Sequence, residues 1–83
     1  PEVNDTLGWI YHKKGLSAMA VAPLLQSIQK DPSNATYHYH LGMAYAGSGD
    51  KDKARASLQK ALSLDGNFSG ATEARQALQG LKG

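Results

Sequence analysis

Residues of this chain return at a fixed offset of 34 positions. Leu7-Gly8 reappears as Leu41-Gly42, Tyr11 as Tyr45, Gly15 as Gly49, Ala20 as Ala54, Ala22 as Ala56, Leu24 as Leu58 and Asp31 as Asp65. All eight identities lie on one register, so no insertion interrupts it. A constant period of this length means that one supersecondary unit is built twice, and such a unit buries its apolar face only against a neighbour. A stacked-repeat architecture follows.

Each unit has helical periodicity. Val3, Leu7, Ile10, Tyr11 and Lys14 recur at spacings of three and four, which places them along one side of a helix. Gly15 ends that helix, and Ser17 is placed to cap a second one. Met19, Ala20, Leu24 and Ile28 form the inward stripe of this second helix up to the stop at Asp31-Pro32-Ser33-Asn34. The second unit repeats the plan, with a helix over 35–46, a turn at Gly47-Ser48-Gly49-Asp50 in which Asp50 is the N-cap, and a helix over 51–64. Gly8 and Ala20 let two backbones approach, while Leu7, Tyr11 and Leu24 fill the space around the crossing. Pro23, inside the second helix, removes a backbone donor and predicts a kink or a late helix start.

After Asp65-Gly66-Asn67 a fifth helical stretch carries Ala71, Ala74, Leu78 and Leu81 on one side and Thr72, Glu73, Gln76 and Gln79 on the other, ending in Gly80 and Gly83. Apolar inside and polar outside, it suits the sealing helix that closes a repeat stack. The expected organisation is a first hairpin over 1–34, a second over 35–68 and a capping helix over 69–83. Two units and a cap fall short of the roughly three repeats that make a self-sufficient core. The chain has no N-terminal counterpart of the cap, so Val3, Ile10 and part of Trp9 are expected to face a preceding repeat of a longer array. In isolation this open face offers a route to a homodimer.

The pattern Leu-Gly-x-x-Tyr, with Ala-x-x-x-Leu following, occurs at Leu7-Gly8-x-x-Tyr11 with Ala20-x-x-x-Leu24 and Pro32, and again at Leu41-Gly42-x-x-Tyr45 with Ala54-x-x-x-Leu58. It resembles the tetratricopeptide repeat over residues 1–68. Asn4 and His38 depart from the family by standing where it often has Trp, and Gly66 replaces the proline that Pro32 supplies. The resemblance implies an all-α fold of stacked antiparallel helical hairpins, a right-handed solenoid of five helices, and a non-enzymatic scaffold with a protein or peptide partner. The closing segment around Phe68, Ala71, Ala74 and Leu78 also loosely resembles that of large bacterial repeat proteins, some from envelope and exopolysaccharide systems. That implies a bacterial source, with the cytoplasm and the cell envelope both open.

In proteins of this family the first helix of each hairpin builds the concave surface. The resemblance therefore places Glu2, Asp5, Thr6, Trp9, His12 and Lys13, then Thr36, Tyr39, His40 and Met43, then Glu73 and Ala77 on it. From these, Asp5, Thr6, Trp9, His12, Lys13, Tyr39, His40 and Met43 form the candidate peptide groove. Relatives that grip a C-terminal carboxylate do so with Lys, Arg and Asn, whereas here Asp5, Trp9, Tyr39, His40, Gly70 and Ala74 hold the matching places. An incoming carboxylate would meet Asp5, which argues against that clamp. An aromatic groove suits a peptide that sets apolar side chains against Trp9, Tyr39 and Met43 and donates to Asp5 and Glu2. The alternative is that Trp9 and Tyr39 simply pack, and that the chain is a structural or self-associating segment.

Other chemistries find little support in the residues. The absence of cysteine excludes disulfides and thiolate metal sites. No apolar run approaches the roughly 20 residues that span a bilayer. A formal net charge of +2, with Lys51, Lys53, Arg55 and Lys60 interspersed with Asp50 and Asp52, does not make a nucleic-acid surface. His38 and His40 stand about 200° apart around a helix and cannot chelate one metal, His38 being expected inward and His40 toward the groove. Gly47-Ser48-Gly49 lacks the Gly-Lys-Ser/Thr ending of a phosphate loop. Asn34-Ala35-Thr36 and Asn67-Phe68-Ser69 match the glycosylation pattern, a triplet that also arises by chance. No cofactor and no catalytic group is assigned.

Overall fold

A computed structural model describes residues 2–81, without the side chain of Glu2. The expected place of Glu2 on the inner surface and the expected end at Gly83 lie outside the described residues. Five helices follow one another: α1 (Glu2–Lys13), α2 (Ser17–Lys30), α3 (Ala35–Gly47), α4 (Lys51–Leu64) and α5 (Ala71–Leu81). No strand occurs among the described residues. Each helix packs on the next along the chain, and α1 also touches α3.

The repeat is visible in the backbone hydrogen bonds. Helix α1 closes with Leu16 N–H donating to Tyr11 O at 2.9 Å, and α3 closes with Asp50 N–H donating to Tyr45 O at 2.9 Å. Both closures are Schellman turns through a left-handed glycine, Gly15 at φ 79° and Gly49 at φ 89°. The ends of α2 and α4 match too, with Asp31 N–H on Ser27 O and Asp65 N–H on Ala61 O. Asn34 caps α3 by accepting from Tyr37 N–H, and Asp50 caps α4 by accepting from Lys53 N–H.

Gly8 and Gly42 occupy equivalent crossings. A Cβ on Gly8 would lie 2.5 Å from Leu24 Cγ and 3.1 Å from Ala20 O, and one on Gly42 would lie 2.7 Å from Leu58 Cγ. Between α2 and α3, Ala20, Leu24, Leu41 and Ala44 form one buried cluster, flanked by Tyr11, Val21, Ile28 and Tyr45. A second cluster of Ala35, Tyr39, Leu58, Ala61 and Ala74 joins α3, α4 and α5. Helix α5 has the expected polarity, with Ala71 and Ala74 buried and Thr72, Glu73, Gln76 and Gln79 exposed.

Several expectations need correction. Ser17 does not cap α2: the N-cap is Leu16, which makes no side-chain cap bond, and Ser17 is the first helical residue. Its hydroxyl is turned inward to the His12 ring and packs against Gly47. The inward face of α2 is Ser17, Ala20, Leu24 and Ser27, whereas Met19 is 53% exposed. Helix α2 runs from Ser17 through Pro23 to Lys30, so the late start does not occur. Leu7 does not fill the first crossing: it is 41% exposed, while its equivalent Leu41 is 5% exposed because α2 covers α3 and no described helix covers α1 on that side. His38 is not a core residue either, since its Nε2 hydrogen-bonds Pro32 O in the preceding loop at 2.8 Å.

Candidate functional site

The crossing of α1 and α3 brings together Asp5, Trp9, His12, Lys13 and His40 of the candidate groove. His40 Nδ1–H donates to Asp5 Oδ1 at 2.7 Å, and both side chains are largely buried. This pair ties α3 to α1. The His40 ring stacks on Trp9 with centroids 4.1 Å apart and planes 20° apart, and Trp9 stacks on His12 at 5.1 Å. His12 Nδ1 in turn hydrogen-bonds Ser17 Oγ at 3.0 Å, which anchors the stack to the start of α2. Lys13 Nζ lies 5.5 Å from the centre of the Trp9 ring, within cation–π range. Tyr39 continues the aromatic series toward Phe68, whose ring centre is 5.7 Å away.

Local sequence explains this arrangement. Asp5, Trp9 and His12 recur at four and three residues, so they share one face of α1, and His40 meets that face from α3. Gly70 admits Tyr39, because a Cβ there would come within 2.9 Å of the Tyr39 ring and 2.8 Å of Phe68. Gly47 likewise leaves room for Ser17 and His12. Ser17, Gly47 and Phe68 are thus site residues that sequence reasoning missed, while Gly70 was placed on the inner surface only through the family resemblance. The only signal at Ser17 and Gly47 was a small residue next to a turn, which turn chemistry explains equally well, and Phe68 gave none.

Three of the expected groove residues lie elsewhere in character or place. Tyr39 is buried at 9% exposure and belongs to the α3–α4–α5 core. Thr6 lines a separate apolar hollow of about 450 Å³ with Val3, Leu7 and Ile10, on the uncovered side of α1. Met43 is half-buried against the second core cluster. Asp5 is not a free acceptor for a ligand, because His40 already occupies it. Trp9 faces α3 and is not part of the open N-terminal face.

Burial is the chief cause that lowers the His12 pKa below its ordinary 6.5, assisted by the positive charge of Lys13 and by His40. The imidazole is therefore neutral near pH 7, which suits both its stacking and its bond to Ser17. Burial also raises the Tyr39 hydroxyl above its ordinary 10, with the Glu73 carboxylate adding to the effect. Ser17 lies beneath His12 and Gly47 with little exposure, so its hydroxyl is an anchor rather than an accessible nucleophile. Among the described residues no three His, Cys, Asp or Glu side chains are placed to hold a metal ion. Among the described residues no helix is long and apolar enough to cross a membrane.

Residues 35–68, comprising α3, α4 and the loop after it, match the family model of the tetratricopeptide repeat. These residues form one tetratricopeptide repeat, and the five-helix structure fits a repeat protein of that type. The equivalent turns, crossings and helix ends extend that geometry from the matched unit back through α1 and α2. No curated protein shows significant similarity to the chain. Tetratricopeptide repeats generally mediate protein–protein interactions and typically belong to non-enzymatic scaffolds.

Proposed function

We propose that this repeat protein is an interaction scaffold that binds a peptide or partner segment on the inner face of α1 and α3, around Trp9. The supporting observation is a stack of Trp9, His12 and His40 that is fixed by Asp5 and Ser17, with Trp9 and His12 left partly exposed at its surface. Rings already held in place lose little freedom when a ligand side chain packs on them, so binding energy concentrates there. Lys13, exposed beside Trp9, offers a cation to a carboxylate or carbonyl of the same segment.

A peptide library displayed on phage, selected on the intact chain and counter-selected on Trp9→Ala, tests this reading. A shared motif that loses binding on the variant, with helicity retained, supports it. Selected peptides that bind the variant equally well sink it. Tyr39→Ala is not an equivalent probe, because the buried ring is part of the core and its truncation costs about 3–5 kcal/mol.

A second reading has its own observation. Val3, Leu7 and Ile10 expose an apolar face on α1 at the positions that α2 covers on α3, which favours a structural or self-associating segment. Light scattering over a dilution series distinguishes the two: a dimer that Ile10→Glu converts to monomer supports self-association, and a monomer at all concentrations refutes it.

A further inference from the structure

The side chains of α4 and α5 leave a cleft of about 330 Å³ that shares no lining residue with the Trp9 stack. Arg55 and Gln59, one turn apart on α4, face Arg75, Leu78 and Gln79, which fall on one face of α5. Glu73, whose charge acts on Tyr39 near the inner face, lies roughly 140° to 240° around the α5 axis from these three residues. Its carboxylate therefore does not serve the cleft.

Both guanidinium groups are held in position by backbone. Arg75 Nη2 donates to Gly66 O at 2.6 Å, and Arg55 Nη2 donates to Leu81 O at 3.3 Å. Arg55 Nη1 also pairs with Asp52, a carboxylate that is almost fully exposed, while no ion pair engages Arg75 among the described residues. A guanidinium has five N–H donors, so each keeps donors to spare in a fixed orientation. Leu78 gives the cleft an apolar floor, and the Gln59 and Gln79 amides supply both donors and acceptors.

We propose that this cleft binds an acidic peptide segment, with carboxylates on Arg55 and Arg75 flanking an apolar side chain that rests on Leu78. The complementarity is one of charge and of pattern: two oriented cations, an apolar patch between them, and amides suited to an extended backbone. A nucleic-acid strand fits less well, because the cleft offers no aromatic ring on which a base can stack. The site lies apart from the inner face and does not depend on binding there.

The test is a backbone and arginine side-chain NMR titration with an acetylated, amidated peptide carrying three glutamates on each side of one leucine. Expected are shifts confined to α4 and α5 around the cleft, weakening with added salt. Arg75→Gln and Gln79→Glu should each reduce affinity about tenfold or more. Gln79→Glu changes an exposed side chain and leaves the Arg75–Gly66 tether intact, so an unchanged circular dichroism spectrum separates lost binding from lost folding. Lys60→Gln should stay within about twofold of the parent. The proposal is overturned by an absence of shifts at millimolar peptide, by shifts on α1 and α3 instead, or by equal losses in Lys60→Gln. Tighter binding of a short oligothymidylate at the same cleft would overturn it as well.

Discussion

Gly8 and Gly42 show how one missing side chain fixes a helix crossing. Alanine is the better helix former by about 1 kcal/mol, yet at Gly42 its Cβ would collide with Leu58 Cγ and Cδ2 and crowd the Leu58 backbone. The crossing has to open, so Gly8→Ala and Gly42→Ala should each destabilise the fold by about 1–3 kcal/mol in chemical denaturation. Gly80 is the internal control, being helical with nothing within 4 Å of a built Cβ, and Gly80→Ala should stabilise by about 0.5–1 kcal/mol. Equal effects at the three positions would show that the crossings are loose. His12 makes the corresponding electrostatic case. Its folded pKa is lowered, so the unfolded chain binds the proton more readily and linkage makes stability fall as pH drops below 6.5 toward the lowered folded value. Above 6.5 the contribution is fully present. The His12 ring should titrate below 6.5 by NMR, and His12→Gln should lessen the loss of stability between about pH 7.5 and about pH 5.5 relative to the parent.

At the scale of the helix, signals that act within a few residues carried through to the structure, and signals that depend on a neighbour did not. Gly15 and Gly49 end their helices in left-handed turns, and Asp50 caps α4, because each needs only the adjacent backbone. Helical periodicity placed all five helices for the same reason. Burial is different, since a helical stripe shows which residues are apolar and not which of them another helix covers. Met19 and Leu7 are exposed while the hydroxyl-bearing Ser17 and Ser27 are buried, a choice made by the packing of α3 on α2. Asp5, Trp9 and His12 share one face of α1, as their spacing of four and three implies, and His40 meets that face from α3. Their bonding was not legible, because Asp5 and His40 are 35 positions apart and only the α1–α3 crossing pairs them. Capping energy is a local quantity that can be tested directly. Asp50→Ala removes the acceptor of Lys53 N–H and should cost about 0.5–2 kcal/mol, whereas Asp50→Asn retains an acceptor and should cost much less. Comparable losses for the two variants would assign the effect to the Asp50 charge, which also lies near Lys53 Nζ.

For the molecule as a whole, the two ends of the stack are unlike. At one end of the described helices α5 buries Ala71 and Ala74 and turns Thr72, Glu73, Gln76 and Gln79 outward. At the other end α1 presents Val3, Leu7 and Ile10 to solvent. The repeat makes this difference measurable, since Leu7 and Leu41 hold the same position in successive units and differ chiefly in what lies over them. Leu41 is enclosed between α2 and α3, so Leu41→Ala removes methylene groups from a packed core and should cost about 2–5 kcal/mol. Leu7 is 41% exposed, and in a monomer Leu7→Ala should cost less than about 1 kcal/mol. Any association that covers the open face would bury Leu7 as α2 buries Leu41. The cost of Leu7→Ala should then rise toward the Leu41 value as protein concentration increases, because association and folding become linked. Denaturation of both variants at low and high concentration decides the matter: a Leu7→Ala cost that does not change with concentration means that the α1 face stays uncovered by a second copy, and a rising cost identifies that face as the contact.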